Sequence, residues 1–113
     1  MDGMLILLIL MKGVNVLAEA FTFSVAEREK IVKNYFKQGI NGPLDVFPSK
    51  DKRKYIVASE IIKRFDRDKR YTEKEINDLL RTIHPDFATI RRFLIDYRFM
   101  NRSDDGRQYW IEG

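Results

Sequence analysis

The chain has 113 residues, the length of one ordinary domain, and its 44% apolar content can build a core, which argues against intrinsic disorder. It contains no cysteine, which excludes disulfides, thiolate zinc sites and cysteine nucleophiles and fits a reducing cytoplasm. The net charge of +4 arises in residues 50–70, where nine basic side chains stand against four acidic ones. Such a patch is a candidate footprint for a polyanion, or else a solvated helix face.

Residues 1–23 carry an apolar run, Met4–Met11 (MLILLILM). The run is too short to span a bilayer, which takes about 20 residues, so no membrane association is predicted. Asp2 stands where a secretory signal peptide would carry positive charge, although the small residues Ala18–Ala20 keep a secreted protein as an alternative. We expect residues 1–23 to form a helical segment that packs on the domain or on a second copy of it. A remnant of a longer upstream region is the other interpretation.

Two helices are predicted in the first half of the following region. Ser24 and Glu27 have the spacing of a capping box, in which the serine accepts a backbone N–H and the glutamate reaches back. Apolar residues at helical spacing follow, and Gly39 is the expected stop. After a loop with a short extended piece at 44–47, a second helix is predicted for about residues 51–65, with Ser49 near its cap.

The third helix has the clearest local signal, in residues 70–83 (RYTEKEINDLLRTI). Thr72 and Glu75 form a second capping box, and Tyr71 and Ile76 have the spacing of a hydrophobic staple. The helix should end near residue 83, because Pro85 cannot continue it.

A fourth helix is predicted from about Asp86 to Tyr97, followed by a hairpin. Asp105 and Gly106 lie between two strand-like segments and predict a two-residue type I′ turn, in which both residues take positive φ. The order of helix, loop, three helices and hairpin predicts an α+β, mainly helical fold. We interpret it as a winged helix-turn-helix with an additional N-terminal helical segment, in which residues 24–113 form the winged-helix-like domain with a leading helix.

Four motifs, PSKDKRKYIVASEIIKRF, RYTEKEINDLL, HPDFATIRRFLIDY and MNRSDDGRQYW, together resemble the bacterial family known as domain of unknown function 2087, over about residues 30–112. The resemblance implies a winged-helix module that occurs alone or behind an ArsR-like DNA-binding domain in transcriptional regulators. It also implies a lysine-rich helix start after Pro48, a double arginine in the fourth helix and an aromatic pair that ends the wing. Two positions depart from the family: Phe93 replaces an acidic residue, and Arg98 replaces a small residue, often glycine.

The candidate DNA-binding residues are the cations of the second helix start, the outer face of the fourth helix and the hairpin, together with one threonine. They are Lys50, Lys52, Arg53, Lys54, Thr89, Arg91, Arg92, Arg102 and Arg107. Three alternatives remain: the lysine cluster solubilises the surface, Arg92 pairs with Asp96 along the helix, or Arg91 is a structural residue. Asp104 opposes phosphate binding at the hairpin, whereas Asp105 is expected to be a structural residue of the turn.

No enzyme activity, catalytic residue, metal site or cofactor is predicted. His84 stands alone in a turn, without cysteine, and is expected to cap or pack. The predicted function is a cytoplasmic DNA-binding transcriptional regulator that binds double-stranded DNA as a homodimer. The alternative is a non-catalytic protein-interaction module that keeps the winged-helix shape, takes a protein partner and does not bind DNA.

Overall fold

The computed structural model describes residues 24–112, so the predicted apolar segment and its packing role lie outside the described residues. The described part contains, in order, α1 (Val25–Tyr35), α2 (Asp51–Ile61), a 3₁₀ turn (Ile62–Arg64), α3 (Glu73–Arg81), α4 (Phe87–Asp96), β1 (Met100–Arg102) and β2 (Tyr109–Ile111). The two strands form one antiparallel sheet. About half of these residues are helical, which confirms the predicted mixed, mainly helical fold. No helix within residues 24–112 has the length and apolar character needed to cross a membrane.

The start of α1 follows only half of its predicted capping box. Ser24 Oγ accepts the N–H of Glu27 at 3.0 Å, as expected for an N-cap serine. The Glu27 carboxylate lies instead 2.8 Å from Lys52 Nζ, a charged partner on α2. The helix then ends at Tyr35, before the predicted stop at Gly39, which takes a φ of +109° in the following turn.

The loop between α1 and α2 is held by backbone hydrogen bonds rather than by a strand. The Leu44 N–H donates to Ile83 O at 2.9 Å, and the Asp45 N–H donates to Tyr35 O at 3.0 Å. Within the described part, residues 44–47 form no strand, so the extended piece predicted there has no ladder partner. Leu44 is buried and belongs to the core.

Helix α2 begins at Asp51, as predicted, and Lys50 rather than the neighbouring Ser49 is its N-cap residue. Lys50 is extended at this position, and its ammonium group cannot accept a cap hydrogen bond from the helix N–H groups. The α-helix ends at Ile61, and the 3₁₀ turn supplies most of the remainder of the predicted helix. The apolar side of α2 joins α3, α4 and the hairpin in one core, whose fully buried members include Val57, Ile61, Ile76, Leu80, Ile90, Leu94, Met100 and Tyr109.

A buried carboxylate fastens α1 to α2. Glu60 is only 8% exposed, and its Oε2 accepts the Arg28 Nε–H at 3.0 Å and lies 3.1 Å from Lys63 Nζ. Arg28 Nη2 also donates to Ser59 Oγ at 2.6 Å. Burial alone would raise the pKa of Glu60, but the hydrogen bonds from Arg28 and Lys63 outweigh it and hold that pKa below its ordinary value.

The predicted capping box of α3 is confirmed in both halves. Thr72 Oγ1 accepts the Glu75 N–H at 3.1 Å, and the Glu75 carboxylate accepts the Thr72 N–H at 2.8 Å. Tyr71 and Ile76 are both buried, as a hydrophobic staple requires. A tight turn then leads to α4, whose N-cap residue is Asp86.

The hairpin pairs Met100 with Ile111 and Arg102 with Tyr109. Its second strand also bonds to the segment before α3, because the Tyr71 N–H donates to Tyr109 O and the Tyr109 N–H donates to Tyr71 O, each at 2.8 Å. The entry to α3 is therefore fixed along the edge of the hairpin.

The predicted type I′ turn is wrong. Gly106 has a φ of +70°, but Asp105 is not among the described residues with positive φ, and the loop spans residues 103–108. Ser103 and Asp105 explain the wider loop. Asp105 Oδ1 accepts the Arg107 N–H at 3.0 Å, and Ser103 Oγ accepts the Gln108 N–H at 3.0 Å. These side chains offer the backbone an alternative to the two-residue turn.

Helix α4 ends in a Schellman motif with an arginine at the left-handed position. The Phe99 N–H donates to Leu94 O and the Arg98 N–H donates to Ile95 O, each at 3.0 Å. Arg98 has a φ of +62° and is the one non-glycine residue within 24–112 with positive φ. Glycine is usual at this position because it lacks a Cβ.

Replacing Arg98 by glycine should therefore stabilise the fold by about 0.5–1 kcal/mol, because relief of left-handed strain exceeds the added chain entropy of glycine. Urea unfolding of the full chain measures this change. Arg98→Ala removes the same charge but keeps the Cβ, so it should bring no comparable gain. Equal gains for both variants would attribute the effect to charge rather than backbone.

Candidate nucleic-acid interface

A groove of about 380 Å³ lies between α4 and the hairpin. One wall is the exposed stripe of α4, formed by Ala88, Arg92 and Asp96, which recur at every fourth residue and thus share a helix face. Arg102 and Tyr109 of the hairpin contribute the opposite wall. Periodicity alone identifies the stripe, whereas the hairpin wall is brought to it by the tertiary fold.

Arg91 is predicted to bind DNA but lies against α3. It donates a hydrogen bond from Nη1 to Asn77 Oδ1, and the same atom is 3.8 Å from Glu73 Oε1. Its side chain is only 24% exposed. This environment matches the structural interpretation of Arg91, in which it joins α4 to α3. Tyr109 Oη also donates to Glu73 Oε1 at 3.3 Å, so the groove's Glu73 carboxylate has two partners.

Thr89 and Arg92 have different surroundings although both lie on α4. Thr89 Oγ1 donates to Asp86 Oδ2 at 2.8 Å, which places it in the helix cap. Arg92 is exposed and, among residues 24–112, has no carboxylate within 4 Å. The alternative pairing of Arg92 with Asp96 is therefore not formed.

The hairpin arginines are both exposed. Arg102 lines the groove, and its Nη1 would lie 3.2 Å from a Cβ added at Gly106. Arg107 is 86% exposed, with Nε 3.9 Å from Asp105 Oδ2. The Ser103 hydroxyl and then the Arg107 N–H donate to Asp105 and hold its pKa below the ordinary value. Asp105 thus has the architectural environment expected for it.

The lysine-rich start of α2 is divided between two surroundings. Lys50, Lys52 and Arg53 line a second groove beside α1, where Lys52 pairs with Glu27. Lys54 Nζ lies over the ring of Phe93 on α4, 5.6 Å from its centroid. The second groove shares no lining residue with the groove of α4 and the hairpin. The nine predicted cations and polar groups are therefore not gathered in one groove.

Outside these grooves, His84 has a local structural environment. Its Nδ1 accepts the Asp86 N–H at 3.0 Å, and its ring centroid lies 4.3 Å from that of Phe47. Arg70, not predicted as a site residue, stacks over Trp110 with 4.3 Å between its guanidinium carbon and the ring centroid. These contacts fix the turn before α4 and the outer side of β2.

Comparison with known families supports one assignment. Residues 43–111 match the family described as an uncharacterized protein conserved in bacteria (DUF2087). No curated protein and no solved structure matches the chain significantly. The matched region covers α2, α3, α4 and the hairpin, with all residues of the α4–hairpin groove. The chain therefore belongs to the bacterial family of domain of unknown function 2087.

Proposed function

We propose that the domain is a winged helix-turn-helix that binds double-stranded DNA through α4 and the hairpin. The order α2, α3, tight turn, α4 and hairpin supports this proposal, since it is the chain order of such a module. The bridge between Tyr71 and Tyr109 adds a third short strand position beside the hairpin. Helix α4 is then the helix that enters the major groove, and the hairpin is the wing.

One observation carries the proposal: Arg92 and Arg102 face the same groove from α4 and the hairpin, and both are exposed. Within the described part of the chain neither has a carboxylate within 4 Å, so both guanidinium groups are available for phosphates or guanine edges. Asp96, on the same stripe, would repel a phosphate but can accept a hydrogen bond from a cytosine amino group. The stripe thus suits base edges, and the wing suits the backbone.

Fluorescence anisotropy with random-sequence duplex DNA at low and high salt tests the proposal. We expect binding at low salt that weakens steeply as salt increases, because phosphate contacts release counterions, with a log–log slope of about −0.9 per contact. Arg92, Arg102 and Arg107 would give a slope near −3. Absence of binding at low salt would contradict the proposal.

A second candidate is the interaction module that takes a protein partner and does not bind DNA. It is favoured by the internal partners of Thr89 and Arg91, which remove two of the predicted DNA contacts.

Sedimentation of the free protein and of the DNA complex tests the proposed homodimer. The ArsR-like regulator context and the cytoplasmic location belong to the first proposal, in which the domain acts in transcription regulation.

A further inference from the structure

The second groove, between α1 and the start of α2, has a strongly basic rim. It encloses about 560 Å³ and is flanked by Lys30 of α1 and by Lys50, Lys52 and Arg53. Glu27 also lines it, but its carboxylate is 2.8 Å from Lys52 Nζ. Among residues 24–112, Lys30, Lys50 and Arg53 have no carboxylate within 4 Å. Because Lys52 is paired with Glu27, the groove presents the other three cations to a ligand.

The same groove has apolar side chains between its cations. Ile31 is buried, Tyr35 is half-buried, and Val46 of the connecting loop is 52% exposed. Covering exposed apolar surface with a ligand lowers the free energy of the complex. A ligand that matched the groove would combine negative charge with at least one apolar group.

This groove lies on a different side of α2 from the proposed DNA-binding face. Lys52 and Glu60 of α2 contact α1, whereas Lys54 contacts α4 and Tyr55 contacts the residue that follows it, Tyr97. At 100° per residue these two pairs occupy separate faces of the helix. A ligand in the α1–α2 groove would therefore leave the stripe of α4 uncovered.

We propose that the α1–α2 groove binds an acidic peptide segment of a partner protein, with carboxylates on the cationic rim and an apolar side chain against Val46 and Tyr35. Charge complementarity favours acidic residues in the ligand, and the apolar side chains of Ile31, Tyr35 and Val46 favour a peptide over duplex DNA. Phosphates would pair with Lys50 and Arg53 but would leave these apolar side chains uncovered. Such a site would let the domain hold a protein and DNA at the same time.

Anisotropy titration of the full chain with a labelled peptide tests this site. The probe alternates aspartate and glutamate with leucine and tryptophan, and a second peptide carries serine at every apolar position. We expect the apolar peptide to bind at low salt, and the serine peptide to bind at least about fivefold more weakly. The double variant Lys50→Glu/Arg53→Glu should lose about tenfold in affinity for the apolar peptide.

Two control variants locate the effect. Lys33→Glu/Lys37→Glu makes the same change in net charge on exposed positions outside the groove, and should leave peptide affinity unchanged. Backbone amide shifts in the NMR spectrum of the unaltered chain should change around Val46 on addition of peptide. The proposal is overturned by absent binding, by equal binding of both peptides, or by shift changes confined to α4. It is also overturned if Lys50→Glu/Arg53→Glu abolishes duplex binding but leaves peptide affinity intact, since the groove would then belong to the DNA footprint.

Discussion

Replacing Arg92 and Arg102 together by alanine should weaken the binding of random duplex DNA about 30-fold at low salt. Each guanidinium is expected to contribute about 1 kcal/mol or more through a phosphate or a guanine edge. Both side chains are exposed and line one groove, so their removal should leave the core intact. Anisotropy measures the affinity, and thermal unfolding checks that the variant is folded.

The matched control for this experiment is Lys33→Ala/Lys37→Ala. It removes two exposed cations from the region of α1, so it lowers the net charge equally without touching the groove of α4 and the hairpin. A loss of affinity that is equal in the two double variants would point to a general charge effect. That outcome would remove the role proposed for α4 and the hairpin.

Other residues predicted from sequence to bind DNA should contribute less to DNA affinity than Arg92 and Arg102. Arg91 should matter mainly for stability, because its partners Asn77 and Glu73 hold α4 against α3. Lys50 and Arg53 should have smaller effects on DNA than Arg92 and Arg102, because they line the other groove. That Lys50, Lys52, Arg53 and Lys54 bind DNA thus stays a prediction, and comparing variants of this cluster with the Arg92/Arg102 variant tests it.

Local signals in the sequence predicted local structure well. Thr72 and Glu75 are three residues apart, so this capping box could be recognised from spacing alone. The Asp105-Gly106 rule failed for a local reason, because the Ser103 hydroxyl supplies competing hydrogen bonds. A serine two residues before such an aspartate is the signal that would have corrected the predicted turn.

Contacts between distant segments were not accessible from the same signals. Arg28 and Glu60 are 32 residues apart, and neither has a neighbour in sequence that marks it as a partner. Helix packing likewise determines the bridge between Tyr71 and Tyr109. It also determines that Arg92 and Arg102 line the same groove. The four helices, the hairpin and the capping box of α3 were therefore predictable, whereas the division of the cations between two grooves was not.

Replacing Glu60 by glutamine should lower the free energy of unfolding by about 2 kcal/mol at neutral pH. Loss of one partner of a buried ion pair costs about 3–5 kcal/mol, and the partial exposure of Arg28 and Lys63 to solvent reduces that figure. Glutamine keeps the volume of the side chain, so the change reports the charge and its hydrogen bonds rather than a cavity. Urea unfolding of the full chain measures it.

The pH dependence identifies the carboxylate as the cause. The pKa of Glu60 is lower in the folded chain than its ordinary value of 4.5, so the folded state favours the ionised carboxylate. That contribution is complete well above pH 4.5 and is lost as the pH falls through the lowered folded pKa. The difference in stability between the original chain and Glu60→Gln should therefore shrink in acid.

Asp78→Asn is the matched control, because Asp78 also pairs with two cations, Lys74 and Arg81, each at 2.8 Å, but on the protein surface. Water screens such exposed pairs, so this variant should change stability little at neutral pH. Comparable losses in the two variants would contradict a special role for burial at Glu60. A difference for Glu60→Gln that stays constant from neutral pH into acid would show that the charge of Glu60 is not its cause, and would contradict the Arg28–Glu60 ion pair as the link between α1 and α2.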